Sequence, residues 1–326
     1  MHLNPCVYVK ESCRKVISQS THVIINAEAL KTLAESLRDA KAITSFTSWA
    51  ECHFAPESVP LETFLRYVFV LDTLNFCFWP NLPFQYSNLA LNLYEALKTS
   101  PKFFDIDNLT KMSALELKSA VFKGDFCLLE ERARMIREVF EVISESFQGS
   151  CTNFITKANR SAPNLVKLVL DSFPCFRDQA IYKGYQVFLY KRAQILVSDL
   201  HLAYRDLIKA VGKSTESDIL DFGDSIKELT MFADYRVPQI LRAKGVLVYS
   251  KELADLVDNK KEIMHSSEYE VEIRAGTIIA VEEIKEALVK LGVPAMSLEV
   301  DVYLWEEGEK IKDKVQPAHH TLSIFY

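Results

Sequence analysis

The chain has 326 residues, 49 % of them hydrophobic, and carries 38 basic against 44 acidic residues for a net charge of −6. This is enough apolar material for a full core in one large domain or two unequal ones, and Gly and Pro, at 9 and 11 residues, are too few for a low-complexity or disordered chain. No dense basic run offers the positive surface that wraps a long nucleic acid, whereas a small anionic ligand needs only one or two placed cations.

In chain order, CVYVKES and THVIIN read as minor strands near the N-terminus. Asn26 caps a helix over AEALKTLAESLRDAKA (27–42), with Leu30, Leu33, Ala34 and Leu37 on one face. Residues 61–79 (LETFLRYVFVLDTLNFCFW) are too long and too apolar for a single strand and read as a buried helix stopped at Trp79-Pro80. A helix over 85–99 runs up to Pro101. Ser113 and Glu116 form a capping box before a short helix that breaks at Gly124-Asp125. Residues 127–147 are amphipathic and end at Gly149. Ser161 opens the next helix, with Pro163 in its first turn. Residues 185–210 read as one long helix with Gly212 beyond its end.

The stretch 211–225 is polar and turn-like. Helix resumes over 238–244, and another helix follows Ser250. Residues 268–274 alternate in strand fashion, although their glutamates equally suit the opening of the helix over 277–291. Residues 298–305 favour helix, because Val300, Tyr303 and Leu304 share a face. The tail HHTLSIFY alternates like a short strand. These elements give a mainly α fold with a few minor β-strands and no internal repeat or low-complexity linker.

The seven cysteines are odd in number and scattered, with no C-x-x-C and no zinc spacing. They read as reduced thiols of a cytoplasmic protein. No signal core opens the chain, no apolar run approaches membrane-spanning length, and no histidine pair is spaced to bind a metal. With 20 Phe, 13 Tyr and 3 Trp, aromatics suffice to line a pocket as well as a core.

Four constellations can carry chemistry. Asp234 lies in DFGDSIKELTMFADYRVPQ, just before Val237-Pro238, which suits Pro238 as the first residue of a helix. A carboxylate at that helix's N-terminus is held ionised and serves as a nucleophile or cation stabiliser. Capping the helix or pairing with Arg236 explains it as well. Asp72 and Asn75 sit in an apolar aromatic segment with Phe76 and Trp79, either as pocket walls for a flat ring or as core residues with satisfied partners. Lys191-Arg192 interrupts an apolar stretch, as a phosphate site or as snorkelling side chains. Glu272, and Asp301 four residues before Trp305, can bond and stack on a heterocycle, or form an exposed pair beside a core Trp.

Together the blocks DTLNFCFW, YKRAQILV-D, TMFADYRVPQ-L, EVEIR and D-YLW resemble, in order, those of the queuosine-salvage family, the queuosine 5′-phosphate N-glycosylases. The resemblance implies a single nucleotide N-glycosylase domain over 1–326, as one body or two closely packed helical lobes with the active site between them. Its fold would be a helical bundle similar to helix-hairpin-helix DNA glycosylases. It implies hydrolysis of the N-glycosidic bond of queuosine 5′-monophosphate to queuine and ribose 5-phosphate, without cofactor or metal and without direct contact to nucleic acid or membrane. By the family pattern Asp234 matches the catalytic aspartate and Lys191 the phosphate-binding lysine. Asp72, Asn75, Phe76, Trp79, His53, Phe232, Tyr235, Arg236, Glu272, Asp301 and Trp305 are the remaining candidate substrate contacts, and His319 matches a histidine of the family's ending. Two other readings compete: a non-catalytic nucleotide- or tRNA-binding protein of the same fold, and a helical scaffold whose acidic surface docks a basic partner.

Overall fold

In the computed structural model, residues 4–38, 49–212 and 216–326 are described. The order of elements is α1 (Pro5–Ile17), β1 (Val23–Ile25), α2 (Ala27–Leu37), α3 (Trp49–Cys52), α4 (Leu61–Leu74), α5 (Tyr86–Thr99), α6 (Ile106–Leu109), α7 (Ala114–Leu117), α8 (Leu129–Ser146), α9 (Cys151–Thr156) and α10 (Ala162–Ser172). There follow β2 (Gln179–Tyr182), β3 (Tyr185–Phe188), α11 (Lys191–Val211), α12 (Arg236–Ala243), β4 (Leu247–Tyr249), α13 (Lys251–Asp258), α14 (Glu268–Lys290) and α15 (Ser297–Ile311). The fold is mainly α; among the described residues the strands form two antiparallel two-stranded ribbons, β1–β4 and β2–β3.

The N-terminal segment 6–12 is helix, not strand. Pro5 opens α1 and the Asn4 side chain accepts from the N–H of Cys6. Its buried residues Cys6, Val9, Cys13 and Val16 follow the helical period, which overrides the local alternation. β1 forms as expected and pairs with β4, Ile24 opposite Val248. Residues 39–42 of the helix expected over 27–42 lie outside the described residues.

Two further expectations change. The helix over 61–79 stops at Leu74, because two buried arginines take its last carbonyls. Arg192 donates to the carbonyls of Asp72 and Thr73, and Arg132 to those of Leu74, Phe76 and Cys77. This satisfies orphan C=O groups that would otherwise be buried bare. The long helix expected over 185–210 begins at Lys191, because 185–188 form β3 of a hairpin whose turn, Lys183-Gly184, has positive φ at both residues, 45° and 86°. That is the geometry a two-residue hairpin demands. The tail is mostly irregular: His320 makes an isolated bridge to Glu262. Residues 268–274 belong to α14, whose first turn is acidic and capped by Ser267.

α14 is buried along most of its length and packs on α1, α2 and α15, while α11 packs on α4 and α10. Gly308 lets α15 lie close to α12, because a Cβ there would meet the Arg236 side chain at 3.0 Å. Between α3, α4, α5, α11, α15 and the segment before α12 the packing leaves an open space.

Candidate active site

This space is a cavity of about 180 Å³, and nine of the candidate residues line it: His53, Asn75, Phe76, Lys191, Phe232, Asp234, Tyr235, Asp301 and Trp305. They come from five separate stretches of sequence and meet only in the fold.

Asp234 sits where chain direction changes. Its Oδ1 accepts from the backbone N–H groups of Arg236 (2.9 Å) and Val237 (3.0 Å) at the start of α12. The helix begins at Arg236, so Pro238 is its third residue rather than its first. Capping and cavity lining therefore coexist in one side chain. Burial pushes the carboxyl above its usual range, while Lys191 and the two N–H groups favour the charged form.

Lys191 is the first residue of α11. Its Nζ donates to the carbonyl of Asn75 at 3.2 Å, and burial works against its charge while Asp234 and Asp72 support it. Its backbone is fixed by Asp178, whose Oδ2 accepts from the N–H of Lys191 at 3.0 Å and whose carbonyl accepts from Leu189 and Tyr190. Tyr190, just before, is held at φ 53°, a left-handed conformation that costs a bulky residue about 1–2 kcal/mol.

Asp301 reaches the cavity from the first turns of α15 and accepts, weakly, from the N–H of Phe232 at 3.4 Å. Burial and the neighbouring Asp234 charge push its carboxyl well above the usual carboxylate range. Both influences favour its protonated form, in which it can donate a hydrogen bond. His53 is pinned by two tyrosine hydroxyls, Tyr67 at 3.0 Å and Tyr86 at 3.2 Å, and burial pushes its pKa down to about 3. It is a neutral wall.

Four candidates do not line the cavity. Glu272 is fully buried elsewhere: it accepts from the N–H groups of Thr21, His22 and Val23 and from the Tyr182 hydroxyl, so its work is to hold β1. Trp79 donates to the carbonyl of Thr321 at 2.9 Å and stacks on His320. Arg236 donates to Glu309 and Gln239, and its guanidinium is not engaged with Asp234. Asp72 lies behind the wall, fully buried. His319, buried, contacts the Tyr326 hydroxyl.

The sequence reading missed Trp49, Tyr86, Asp199 and Glu309, which all line the cavity. Asp199 carried a signal: it is an acid on the apolar stretch of α11, eight residues after Lys191. Burial raises its pKa from 3.8 to about 7, with Lys191 and Trp49 acting the other way.

A buried carboxylate capping a helix, with an ammonium and a second carboxyl beside it, can stabilise positive charge on a sugar, grip an anion and hydrogen-bond a departing base. Comparison with known proteins points the same way. The model of the family described as queuosine salvage protein matches residues 53–326. A protein of Dictyostelium discoideum named queuosine 5′-phosphate N-glycosylase/hydrolase is 44 % identical, covering 99 % of this chain and 100 % of the relative. Proteins of the same name are 38 % identical in Sphaerobacter thermophilus (98 % and 97 % covered) and 30 % identical in Mus musculus (99 % and 100 % covered).

Proposed function

The chain belongs to the queuosine salvage protein family, and on that premise we propose that it is a queuosine 5′-phosphate N-glycosylase/hydrolase. It hydrolyses the bond between ribosyl C1′ and the 7-deazaguanine base, releasing queuine and ribose 5-phosphate for salvage into tRNA modification. The observation that carries this reading to particular residues is the meeting of Asp234 and Lys191 at one cavity.

In the reaction the C1′–N bond breaks with its electron pair going to the base, and positive charge grows on the sugar. Asp234 stabilises that charge or bonds to C1′, and water completes the substitution. The two backbone N–H groups on Oδ1 fix the carboxylate's orientation, so little reorganisation is needed as charge develops. A 7-deazapurine has carbon in place of N7, so protonation at that position is not open to it. Asp301, whose protonated form burial and the Asp234 charge favour, is the donor we assign to the leaving base. The Lys191 ammonium takes the 5′-phosphate, whose charge offsets the desolvation that burial imposes on it. Phe76, Phe232, Tyr235 and Trp305 supply flat apolar surface for the ring.

A cavity of this size with a single lining lysine suits a mononucleotide. Among the described residues no helix is long and apolar enough to cross a membrane. The seven cysteines are all free, which supports a cytoplasmic setting. Mass spectrometry of the products from purified protein and synthetic queuosine 5′-monophosphate tests the reading: queuine and ribose 5-phosphate are expected, and an unchanged nucleotide at high enzyme concentration refutes it.

A further inference from the structure

Asp199 and its surroundings take no part in the chemistry above. Asp199 is 7 % exposed and lines the cavity, yet its Oδ2 meets no hydrogen-bond donor; neither does the hydroxyl of the adjacent Ser198, also on the cavity wall. Behind it, neither oxygen of the fully buried Asp72 receives a hydrogen bond of normal geometry. The two carboxyls are electrostatic neighbours, each near Lys191. Asp72 has both Lys191 and Arg192 as cationic neighbours, whereas Asp199 has Lys191 alone, so Asp199 is the carboxyl left short of positive charge.

Three other acids of the cavity are accounted for differently. Glu309 is paired with Arg236 and Lys312, Asp234 caps α12, and Asp301 accepts from Phe232. Around Asp199 the walls are aromatic. Trp49 and His53 stack with centroids 4.2 Å apart, and Tyr86 stands edge-on to His53. A neutral His53 brings no competing positive charge. Aromatic faces beside a carboxylate are the recognition chemistry of an organic ammonium. They do not suit a bare divalent ion, which needs six or more oxygens.

We propose that the Asp199 end of the cavity, walled by Trp49, His53 and Tyr86, is a subsite for a secondary ammonium group. On the functional reading above, on which this rests, that group is the protonated aminomethyl arm of the queuine base. Asp199 pairs with the ammonium, and Asp72 adds its field from behind. Two helical turns, about 12 Å, separate Asp199 from Lys191 along α11. That leaves room for the ribosyl phosphate at one end and the arm at the other, with the ring between. Asp199 is then a specificity-determining residue, selecting 7-deazaguanine nucleotides that bear a cationic substituent over those that do not.

The test compares kcat/KM for queuosine 5′-monophosphate and for 7-deazaguanosine 5′-monophosphate, which lacks the arm, in the wild type and in Asp199→Asn, with melting curves to verify folding. The variant should lose about tenfold more on the armed nucleotide than on the plain one. Equal losses on both, or no loss on either, overturn the proposal. A second measurement needs no variant: in calorimetry on the wild type, queuine should bind about tenfold tighter than 7-deazaguanine, and equal affinities overturn the subsite. If the wild type cleaves neither nucleotide, the hydrolase reading fails, and the free-base calorimetry still decides the subsite.

Discussion

Two clusters of buried charge lie side by side in this protein, and they are built on opposite plans. In the first, Arg274 on α14 donates both terminal nitrogens to Asp178, at 2.9 and 2.6 Å, one also to Glu270, and its Nε to the carbonyl of Ala233. Every guanidinium nitrogen has a partner, and the Tyr326 ring covers the group. In the second, Lys191 is surrounded by Asp72, Asp199, Asp234 and Asp301, and several of the carboxylate oxygens have no donor. The first holds the second: Asp178 fixes the backbone of Lys191, and Arg274 fixes the residue before Asp234. The saturated cluster is scaffold, and the unsaturated one keeps its capacity for a ligand, at a cost in stability that the scaffold offsets.

That contrast can be broken or sharpened by substitution. The largest effect is expected for Asp234→Asn, which keeps the helix cap but removes the charge. Base release should fall on the order of 10⁴-fold in single-turnover assays while nucleotide binding persists, and unchanged turnover would remove Asp234 from the chemistry. Arg274→Met breaks the saturated cluster and leaves Asp178 and Glu270 unpaired, so unfolding free energy should drop by about 3–5 kcal/mol in denaturant titration. A smaller loss would mean that the cluster is not the scaffold. Lys191→Ala should cost on the order of 10²-fold in kcat/KM for the 5′-monophosphate and much less for the free nucleoside. Equal loss on both substrates would make the lysine structural.

The smallest effect has the opposite sign. The Asp199 carboxyl is raised by burial, so its folded pKa lies above its unfolded one. Below about pH 4 both states are protonated and the group contributes nothing. As pH rises towards 7 the folded state retains a proton that the unfolded state has released, and stability declines. The move from 3.8 to about 7 corresponds to at most about 4 kcal/mol. Ligand-free Asp199→Asn should therefore melt several degrees higher than the wild type at pH 8, with the gain fading towards pH 4. A variant that melts lower across this range would contradict the unsaturated character of the cluster.

The residues now placed at the cavity were legible to different degrees. Asp234 and Lys191 stood out because local signals, a helix start and a charge in an apolar run, marked them before any fold was known. The mainly α architecture followed from periodicity, as did most helix positions. The end of α4 was not legible: it depends on Arg132 and Arg192, which arrive from α8 and α11 to take its carbonyls. Glu272 looked like a ligand contact for the same reason that Asp199 did not. A buried acid in an apolar helix signals that partners exist, but only tertiary packing says whether they are the backbone of β1 or an open cavity. The β2–β3 hairpin was hidden because Tyr185–Phe188 is apolar enough to continue the helix that follows it.

The tryptophans have a practical consequence. The chain has three; Trp49 and Trp305 line the cavity, whereas Trp79 is held outside it by Thr321 and His320. Intrinsic fluorescence thus comes with a built-in reference. Occupancy should alter the emission of two indoles and spare the third, so that single Trp→Phe replacements would allow ligand arrival to be followed from inside the cavity, without any attached dye.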